Sequence, residues 1–374
     1  MNNVLIFREE LMPISETFIP AQATALRSFR PVFAGLRRAK NSLPLDRSTV
    51  LMSDGSWRIG KLASALYQIY PFAPSFHRKI SKSRAVLIHA HFALDGTEAL
   101  YLQSALNVPL LVTLHGYDIT SSDAEFERTA RGRHYLANRS ELWNRASKFI
   151  CVSEAIKTAA LKAGIPKEKL VVHYIGIDLK NFQRNHLLVR DPHLILFVGR
   201  LVEKKGCEFV IRALSQLTID QPRAHLVVIG HGPLRRELEA LASKLGVKVR
   251  FLGPQNAELV RMWMGKARIL CVPSVQAKTG DSEGFGMVFA EAQSMGTPVV
   301  STWHSAIPEV VRHGVTGLLA AERDCTGLAH HICRFLSDHI FWSTCGNRAI
   351  THIRDNFDLQ RQTFELEKTY SSVL

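Results

Sequence analysis

The chain alternates between short apolar runs and longer amphipathic segments along its whole length. The short runs are rich in Val, Ile and Leu, which is typical of buried strands. They predict strands at residues 4–7, 32–34, 86–90, 110–113, 149–152 and 171–173, and then at 194–198, 225–229, 249–252, 269–272, 299–301 and 317–320. Segments with helical spacing, such as 208–217, 234–245 and 256–264, lie between them. This order predicts an α/β fold class, with parallel sheets covered by helices.

The alternation pauses once, at residues 176–193. That segment is polar, contains a glycine and a proline, and precedes a clear strand at 194–198. A chain of 374 residues has room for two domains of ordinary size. We therefore predict two Rossmann-like domains in series, residues 1–185 and residues 186–357.

Composition indicates a globular protein, 46% hydrophobic and 21% charged. The six cysteines form no C-x-x-C pair, which favours reduced core thiols over a zinc ribbon or a disulfide framework. The first residues hold only a short apolar run before Arg8 and Glu9, unlike a signal peptide. No window approaches eighteen apolar residues, so we expect a cytoplasmic protein.

The net charge of +14 lies mainly in the first half of the chain. Residues 57–84 contain six Lys or Arg and no acid, with Trp and several Tyr and Phe residues interleaved. That pattern suits an anionic membrane surface, which would make the protein peripheral on the inner face of the plasma membrane. RNA binding could use the same features, but no RNA-binding motif is present and no nucleic-acid partner is expected. A partly buried helix with a solvated basic face is the structural alternative.

Candidate chemistry lies in the turns that follow strands, since open α/β sheets bind ligands at the carboxyl ends of strands. The turn "GRLVEKKG" places Arg200 and Lys205 on a glycine-bounded loop. Two cations there suit a diphosphate, although they would also be ordinary on a solvated surface.

The turn "GHGPLRREL" half-matches the dinucleotide fingerprint G-x-G-x-x-G. Gly230 and Gly232 fit, but Arg235 replaces the third glycine and no acidic residue follows at the expected distance. The pattern argues against a nicotinamide-dependent oxidoreductase and favours a turn close to a nucleotide.

The stretch "DSEGFGMVFAEA" contains Glu283 and Glu291, eight residues apart. Were the interval fully helical, the two carboxylates would be about 12 Å apart, farther than the roughly 5–9.5 Å of a glycosidase pair. The spacing therefore favours contacts at two ends of an extended ligand. Phosphates between them would meet the amides of Phe285, Gly286 and Met287 at a helix N-terminus. The alternative is a helix cap followed by a surface glutamate.

Two histidine motifs lie at strand ends in the first half, "HAHF" with His89 and His91 and "TLHGYD" with His115 and Asp118. A His-x-His pair alone lacks the further ligands that zinc requires, and the chain has neither H-E-x-x-H nor Asp-x-Asp. We expect no metal. His115 is the stronger candidate for ligand contact, while His89 and His91 also fit a structural, hydrogen-bonded role. Neither a G-x-S-x-G elbow nor a Walker A loop occurs.

Together these motifs carry a family resemblance. The segments "HAHF", "TLHGYD", "CVSEAIK", "YIGID", "FVGRLVEKKG", "VIGHGPLRREL", "SEGFGMVFAEAQSMGTPVVST", "IPEVV" and "GVTGLL" resemble the retaining GT-B glycosyltransferases of family GT4. That resemblance implies two Rossmann-like domains facing each other across a cleft. It also implies that the last helix, residues 358–374, packs back on the first, acceptor-binding domain.

The resemblance also implies roles for individual residues. Glu283 would bind the donor sugar, Glu291 the ribose, and Arg200 and Lys205 the diphosphate, with His115 contacting the sugar from the other domain. The expected catalytic set is His115, Glu283, Arg200 and Lys205. Expected donor-binding residues are Gly199, Gly230, Gly232, Gly253, Gly284, Phe285, Gly286, Met287 and Glu291. The acceptor side would include Ser15, Glu16, His91 and Asp118.

The loop after the first strand departs from the usual family pattern, and its sequence indicates one branch of the family. Many relatives carry a Gly-Gly loop after the first strand, whereas this chain has "REELMPISETFIPAQ". The "P-x-S-E-T-F" form resembles enzymes of exopolysaccharide and O-antigen synthesis.

The predicted function is transfer of a hexosyl group, with retention, from UDP- or GDP-hexose to a saccharide acceptor linked to a polyprenyl diphosphate. No cofactor is expected. No residue is an obvious covalent nucleophile, so the resemblance implies front-face attack, with the leaving phosphate accepting the acceptor's proton. A sugar-nucleotide 2-epimerase of the same architecture and a non-catalytic sugar-nucleotide-binding protein are the alternatives.

Overall fold

The computed structural model describes residues 1–13, 16–40, 42–43, 49–184, 187–217 and 221–374. The chain forms two compact units, one of Met1–Gly176 with Leu359–Leu374 and one of Ile177–Asp358. The units divide after Gly176, at the start of the polar pause rather than at residue 185. Ser15, an expected acceptor-side residue, lies outside the described residues.

The first unit is built on a seven-stranded sheet in which all neighbouring strands are parallel. Its strands are β1 (Asn2–Leu11), β2 (Phe29–Arg38), β3 (Thr49–Leu51), β4 (Ala85–His91), β5 (Leu110–Leu114), β6 (Lys148–Cys151) and β7 (Leu170–Val172). Its helices are α1 (Phe18–Thr24), α2 (Trp57–Ile69), α3 (Pro74–Lys82), α4 (Ala93–Leu106), α5 (Tyr117–Thr120), α6 (Asp123–Glu127), α7 (Ala130–Arg145) and α8 (Glu154–Lys162). The strand order is β3-β2-β1-β4-β5-β6-β7.

The second unit is built on a six-stranded parallel sheet of order β10-β9-β8-β11-β12-β13. These strands are β8 (Leu194–Val198), β9 (His225–Ile229), β10 (Val249–Gly253), β11 (Ile269–Cys271), β12 (Val299–Thr302) and β13 (Gly317–Ala320). The helices are α9 (Cys207–Gln216), α10 (Arg235–Lys244), α11 (Ala257–Lys266), α12 (Met287–Ser294), α13 (Ile307–Val310), α14 (Cys325–Ser337) and α15 (His339–Phe357).

The last helix, α16 (Leu359–Ser371), belongs to the first unit. Its Leu366 and Tyr370 are buried in a core cluster with residues of β1, β2 and β4. The Glu367 carboxylate accepts hydrogen bonds from three consecutive backbone N–H groups, at Arg27, Ser28 and Phe29. The chain therefore returns to the first sheet after completing the second.

The prediction of parallel α/β sheets is confirmed. Every predicted strand overlaps an observed one, and the three predicted helices named above correspond to α9, α10 and α11. The sequence pattern missed β3, which pairs with β2 at one end of the sheet. Three residues are too few to show an alternation of apolar and polar positions.

The order of the strands indicates where each sheet is expected to have a crevice. In both sheets the order reverses beside the first strand, between β1 and β4 and between β8 and β11. Loops that leave neighbouring strands in opposite directions open a crevice at such a switch point. In the second unit these loops are the "GRLVEKKG" turn and the segment that contains Glu283.

Within the described residues, all six cysteines are free thiols and four of them are buried. No helix among those residues is long and apolar enough to cross a bilayer.

Candidate active site

Three glycine turns are joined at the carboxyl edge of the second sheet. The N–H of Gly199, after β8, donates to the carbonyl of Ile229 at 3.0 Å. The N–H of Gly230 donates in turn to the carbonyl of Gly253 at 3.0 Å. Gly230 has φ of +142°, and a Cβ there would lie 1.9 Å from the carbonyl oxygen of Gly199. Only glycine allows these turns to approach so closely.

Lys205 and Glu283 meet at the switch point. Lys205 ends a short 3-10 turn and precedes Gly206, whose φ of +64° and contact with Pro273 exclude a side chain. The Lys205 Nζ donates to Glu283 Oε2 at 2.6 Å. The Ser274 hydroxyl donates to the same oxygen at 3.3 Å. Loops from two strands thus place an ammonium and a carboxylate side by side.

The Glu283 carboxylate is buried, with the residue 8% exposed, yet it is strongly acidic. Burial alone would raise its pKa, but the charges of Lys205 and Lys204 and the hydrogen bonds from Lys205 and Ser274 lower that pKa to about 2. Lys204 is itself paired with Asp281 at 2.8 Å. Glu283 is therefore ionised throughout the physiological pH range, and it is a very weak base. It can accept hydrogen bonds from hydroxyl groups, but it is unsuited to removing their protons.

The backbone of Glu283 is held on both sides by residues that the sequence pattern did not reveal. Its N–H donates to His304 Nε2 at 3.3 Å, and its carbonyl accepts from the Ser305 hydroxyl at 2.7 Å. His304 is 4% exposed, and its Nδ1 lies 2.7 Å from the Glu322 carboxylate. Because Nε2 accepts, the ring proton is on Nδ1 and is donated to Glu322. Ser305 adopts an unusual positive φ of +47° to make its contact.

Helix α12 begins at Met287, within the stretch 285–287 where the sequence predicted a helix N-terminus. Residues 283–286 form an irregular turn, so the distance of about 12 Å, which holds only for a fully helical interval, does not apply here. Gly286, with φ of +81°, is the N-cap and supplies no side-chain hydrogen bond to the first turn. The N-terminal amides of α12 therefore lack a side-chain cap, while the Phe285 ring is buried against Phe357 at 5.5 Å.

Glu291 lies in α12 and is partly buried. Burial raises the pKa of its carboxyl to about 7, although the charge of Arg261 acts in the opposite direction. Among the described residues no hydrogen bond or ion pair engages this carboxylate. A ligand with paired hydroxyls would supply the missing donors.

Arg200 follows Gly199 and is exposed. Nothing in the described part of the chain forms a hydrogen bond or ion pair with its guanidinium. Its five donors therefore remain available to an anion.

At the switch point of the first unit a chain of buried ions begins with Arg8. Its guanidinium holds Glu16 through two hydrogen bonds, of 2.9 and 2.7 Å, and also pairs with Asp95. Arg131 bonds Asp95 from the other side and Glu98 at 3.0 Å. The Glu16 carboxylate, five residues after β1, is thus held by Arg8, which is itself paired with the distant Asp95.

His91, the last residue of β4, and His115, the residue after β5, contact each other. Their ring nitrogens, Nδ1 of His91 and Nε2 of His115, are 3.1 Å apart. Burial lowers the pKa of both imidazoles well below the usual value, and nearby charges act in the same direction. Both are therefore neutral. The His115 ring also lies 4.5 Å from the Phe92 ring, centre to centre.

Asp118 is fully buried, and its carboxylate is hydrogen-bonded to backbone N–H groups. Its carboxylate accepts from the N–H groups of Ala93, His115 and Gly116 at 2.8–3.0 Å. Burial raises its pKa to about 6 in spite of these donors. Asp118 thereby joins the turn after β4 to the turn that carries His115. Its carboxylate is not exposed to a ligand.

His89 has the structural role that the sequence left open. It is buried between the hydroxyls of Tyr370 and Thr113, at 2.7 and 2.6 Å. Burial lowers its pKa to about 3. The described residues contain no group of three or more His, Cys, Asp or Glu side chains arranged to hold a metal.

Comparison with known proteins places this geometry in a family. The profile of Glycosyltransferase Family 4 matches residues 52–181, and that of Glycosyl transferases group 1 matches residues 192–338. A D-inositol 3-phosphate glycosyltransferase of Actinosynnema mirum is 31% identical over 76% of this chain and 72% of its own length. The chain belongs to glycosyltransferase family 4.

A second relative of this family 4 glycosyltransferase is the putative colanic acid biosynthesis glycosyltransferase WcaL of Salmonella typhimurium. It is 29% identical over 72% of this chain. The match covers 66% of that relative, so this chain spans just under two thirds of its length.

The fold is also that of solved glycosyltransferases. The crystal structure of Anabaena Alr3699/HepE in complex with UDP and glucose superposes with a TM-score of 0.78 at 22% identity, over 100% of both chains. The expected GT-B class is confirmed at the level of fold.

The structure brings together Lys205, Glu283 and the turns that bear Gly199 and Gly230, as the motifs indicated. No sequence motif revealed the residues around Glu283, which are His304, Ser305 and Glu322, or the network around Glu16, which is formed by Arg8, Asp95 and Arg131. One signal was present, since His304 and Ser305 are polar residues that lie two and three positions after the buried strand β12. The network around Glu16 had no such local signal.

Proposed function

We propose that this family 4 glycosyltransferase moves a hexosyl group from UDP- or GDP-hexose to a hydroxyl of a saccharide acceptor, with retention. The Lys205–Glu283 pair at the switch point of the second sheet carries the proposal. It presents a carboxylate that stays ionised beside an ammonium, next to the uncapped start of α12 and the unpartnered Arg200.

Each part of a nucleotide sugar has a matching group. Arg200, Lys205 and the N-terminal amides of α12 suit the diphosphate, since cations and helix N-termini stabilise phosphate. Glu283 suits the hydroxyls of the sugar, and Glu291 suits the ribose diol. Anabaena HepE, solved with UDP and glucose, is consistent with a uridine nucleotide as donor.

The chemistry follows from the charges. As the bond between the anomeric carbon and the phosphate oxygen breaks, negative charge grows on the departing diphosphate, and Arg200 and Lys205 offset it without a metal. Glu283 is too weak a base to activate the acceptor. We therefore assign the acceptor's proton to the leaving phosphate, on the face from which the acceptor attacks. No covalent glycosyl intermediate is invoked.

His115 is proposed to contact the sugar as a neutral imidazole, and Glu16 and His91 to shape the acceptor side. His91 already contacts Nε2 of His115, so the nitrogen of His115 that is left for a ligand is Nδ1. Asp118 is proposed to position His115, because its carboxylate is bonded to the backbone of that turn.

We further propose an acceptor linked to a polyprenyl diphosphate, in the synthesis of exopolysaccharide or lipopolysaccharide at the inner face of the plasma membrane. The name of the Salmonella typhimurium relative, a colanic acid biosynthesis glycosyltransferase, supports the first of these pathways. The basic, aromatic segment 57–84 supports a membrane location.

The experiment is donor binding followed by turnover. A thermal-shift panel of UDP- and GDP-sugars should identify a stabilising donor, which is then assayed with a lipid-linked saccharide. Lys205→Ala and Glu283→Ala should each lower kcat/KM by about 100-fold or more, the usual effect of removing one group that stabilises transition-state charge. The exposed Lys244→Ala on α10 is the matched control and should retain the rate. Near-normal turnover in both site variants would contradict the assigned roles.

A further inference from the structure

Helix α2 exposes an apolar stripe to solvent. Ile59, Leu62, Leu66 and Ile69 are 61%, 65%, 58% and 83% exposed. At the helical period these four positions fall within an arc of about 80°, so they form one continuous face. The opposite face is the packed one, with Gly60, Ser64 and Tyr67 buried. The helix is thus anchored by small and aromatic residues, and its aliphatic residues point outward.

The apolar face continues into the turn that follows α2. Tyr70 and Phe72 are 71% and 70% exposed, and their rings are 6.0 Å apart. A folded protein commonly exposes single apolar residues, whereas a contiguous stripe of this kind marks a binding surface.

Exposed cations lie beside this face on α2, and others lie on the next helix, α3. Arg58 and Lys61 are exposed on α2, and Arg78, Lys79 and Lys82 are exposed on α3. The two helices are joined through Tyr67, whose hydroxyl bonds His77 at 2.9 Å. Residues 57–84 contain no acidic residue, and Asp54 is the acid that precedes them most closely in sequence. The matching surface is therefore negatively charged as well as apolar.

We propose that the α2 face, defined as Ile59, Leu62, Leu66, Ile69, Tyr70 and Phe72, docks on an anionic lipid bilayer. The aliphatic side chains would enter the boundary between headgroups and acyl chains, and the flanking cations would contact the headgroups. Tyr and Trp favour that boundary, and Trp57 lies at the first turn of the same helix.

The positive charge beside the α2 face favours an anionic bilayer over a second copy of the chain as its binding partner. In a twofold dimer the same patch meets itself, which would bring Arg58 and Lys61 of one copy close to those of the other. Like charges at an interface oppose association, whereas an anionic bilayer attracts them.

The test is sedimentation with vesicles, without donor or acceptor, so that it is independent of glycosyl transfer. Vesicles of phosphatidylcholine with about a quarter phosphatidylglycerol should bind the protein, and pure phosphatidylcholine should bind it at least roughly tenfold more weakly. Raising the salt concentration from about 50 mM to about 500 mM should release much of it, since the Debye length shortens.

The double variant Leu62→Ser with Leu66→Ser should lower vesicle partitioning about tenfold or more. The double variant Arg58→Gln with Lys61→Gln should also lower vesicle partitioning, and the binding that remains should depend less on salt. Ile340→Ser is the matched control, because Ile340 is 79% exposed on α15 in the other unit and should leave binding unchanged. All the substituted side chains are exposed, so unfolding temperature and donor-induced thermal shift should be retained. These two readouts establish that any loss is not misfolding.

The proposal is overturned if the protein does not sediment with anionic vesicles, or if the Leu62→Ser and Leu66→Ser pair sediments like the unsubstituted chain. It is also overturned if sedimentation equilibrium without lipid shows a dimer that this pair converts to monomer, since the face would then bind a second copy. Failure of glycosyl transfer with intact vesicle binding would contradict the proposed function alone.

Discussion

Two glutamates in one short segment have opposite acid strengths, and the cause lies in their partners. Both are desolvated, but Glu283 has the charges of Lys205 and Lys204 and a hydrogen bond from Ser274. The carboxylate of Glu291 has the charge of Arg261, but no hydrogen bond or ion pair among the described residues. The pKa of the first is therefore lowered to about 2 and that of the second raised to about 7. One stays charged at every working pH, and the other changes charge near neutrality.

Donor binding should therefore depend on pH through Glu291. Ribose hydroxyls donate to the ionised carboxylate, which is the form present above its raised pKa of about 7. If only that form binds the donor, the donor KM should fall roughly tenfold between about pH 6 and about pH 8. Glu291→Gln should raise KM and remove this pH dependence. A profile that is unchanged in Glu291→Gln would show that another group titrates.

The ion pair at Glu283 should stabilise the fold only when its carboxyl is ionised. Its folded-state pKa of about 2 lies below the ordinary value of 4.5, so this contribution is present above about pH 4.5 and is lost as the pH falls toward 2. Glu283→Gln should flatten the acid side of a plot of unfolding temperature against pH. Glu258→Gln, at an exposed glutamate of α11, serves as a control and should leave the acid limb in place.

At the scale of elements, the turn after β12 positions Glu283. His304 and Ser305 hold its backbone, and Glu322, just after β13, holds His304. The carboxylate is therefore fixed by three neighbouring strand ends, β11, β12 and β13.

His304 is a positioning residue on this account. His304→Ala should lower kcat about tenfold while changing the donor KM less, because the diphosphate and ribose contacts stay in place. His304→Gln should recover part of the rate, since its amide oxygen can accept the Glu283 N–H. A loss that appears only in thermal stability, with kcat unchanged, would contradict this role.

The glycine turns make a second prediction at this scale. Gly230→Ala would place a Cβ 1.9 Å from the Gly199 carbonyl, so the β8 and β9 turns would have to separate. We expect a destabilisation of about 3 kcal/mol, together with weaker donor binding. Gly246→Ala is the control, because Gly246 also has a positive φ, of +65°, but an added Cβ meets nothing within 4 Å. It should cost only about 1 kcal/mol, from backbone strain alone. Calorimetric unfolding temperatures with and without nucleotide would measure both effects, and equal losses would contradict the close-approach argument.

At the scale of the whole molecule, the sequence predicted local features such as strands and turns. It did not predict contacts that depend on the order of strands in a sheet. Alternation of apolar runs predicted twelve of the thirteen strands in the described part of the chain, and glycine-bounded turns pointed to Lys205 and Glu283. The link from Glu283 through His304 to Glu322 needs β11, β12 and β13 to be neighbours, which no local pattern states. The Arg8 network likewise joins residues more than 80 positions apart.

Asp118 illustrates the same limit. Its motif, "TLHGYD", correctly marked a turn at the carboxyl edge of the sheet. Whether its carboxylate faces a ligand or the backbone depends on the neighbouring β4 turn, which supplies the Ala93 N–H. The distance between Glu283 and Glu291 could be estimated from the sequence only for a fully helical interval, whereas residues 283–286 adopt an irregular turn.

The central claim is that the second unit binds a nucleotide sugar and that Lys205 assists departure of its diphosphate during transfer with retention. Proton NMR of the sugar product, made from the best-binding donor with and without a saccharide acceptor, tests it most directly. The account predicts a disaccharide linkage of the same anomeric configuration as the donor, formed only when acceptor is present and about 100-fold more slowly by Lys205→Ala. An inverted linkage, or an epimerised sugar formed at the same rate without any acceptor, would contradict it.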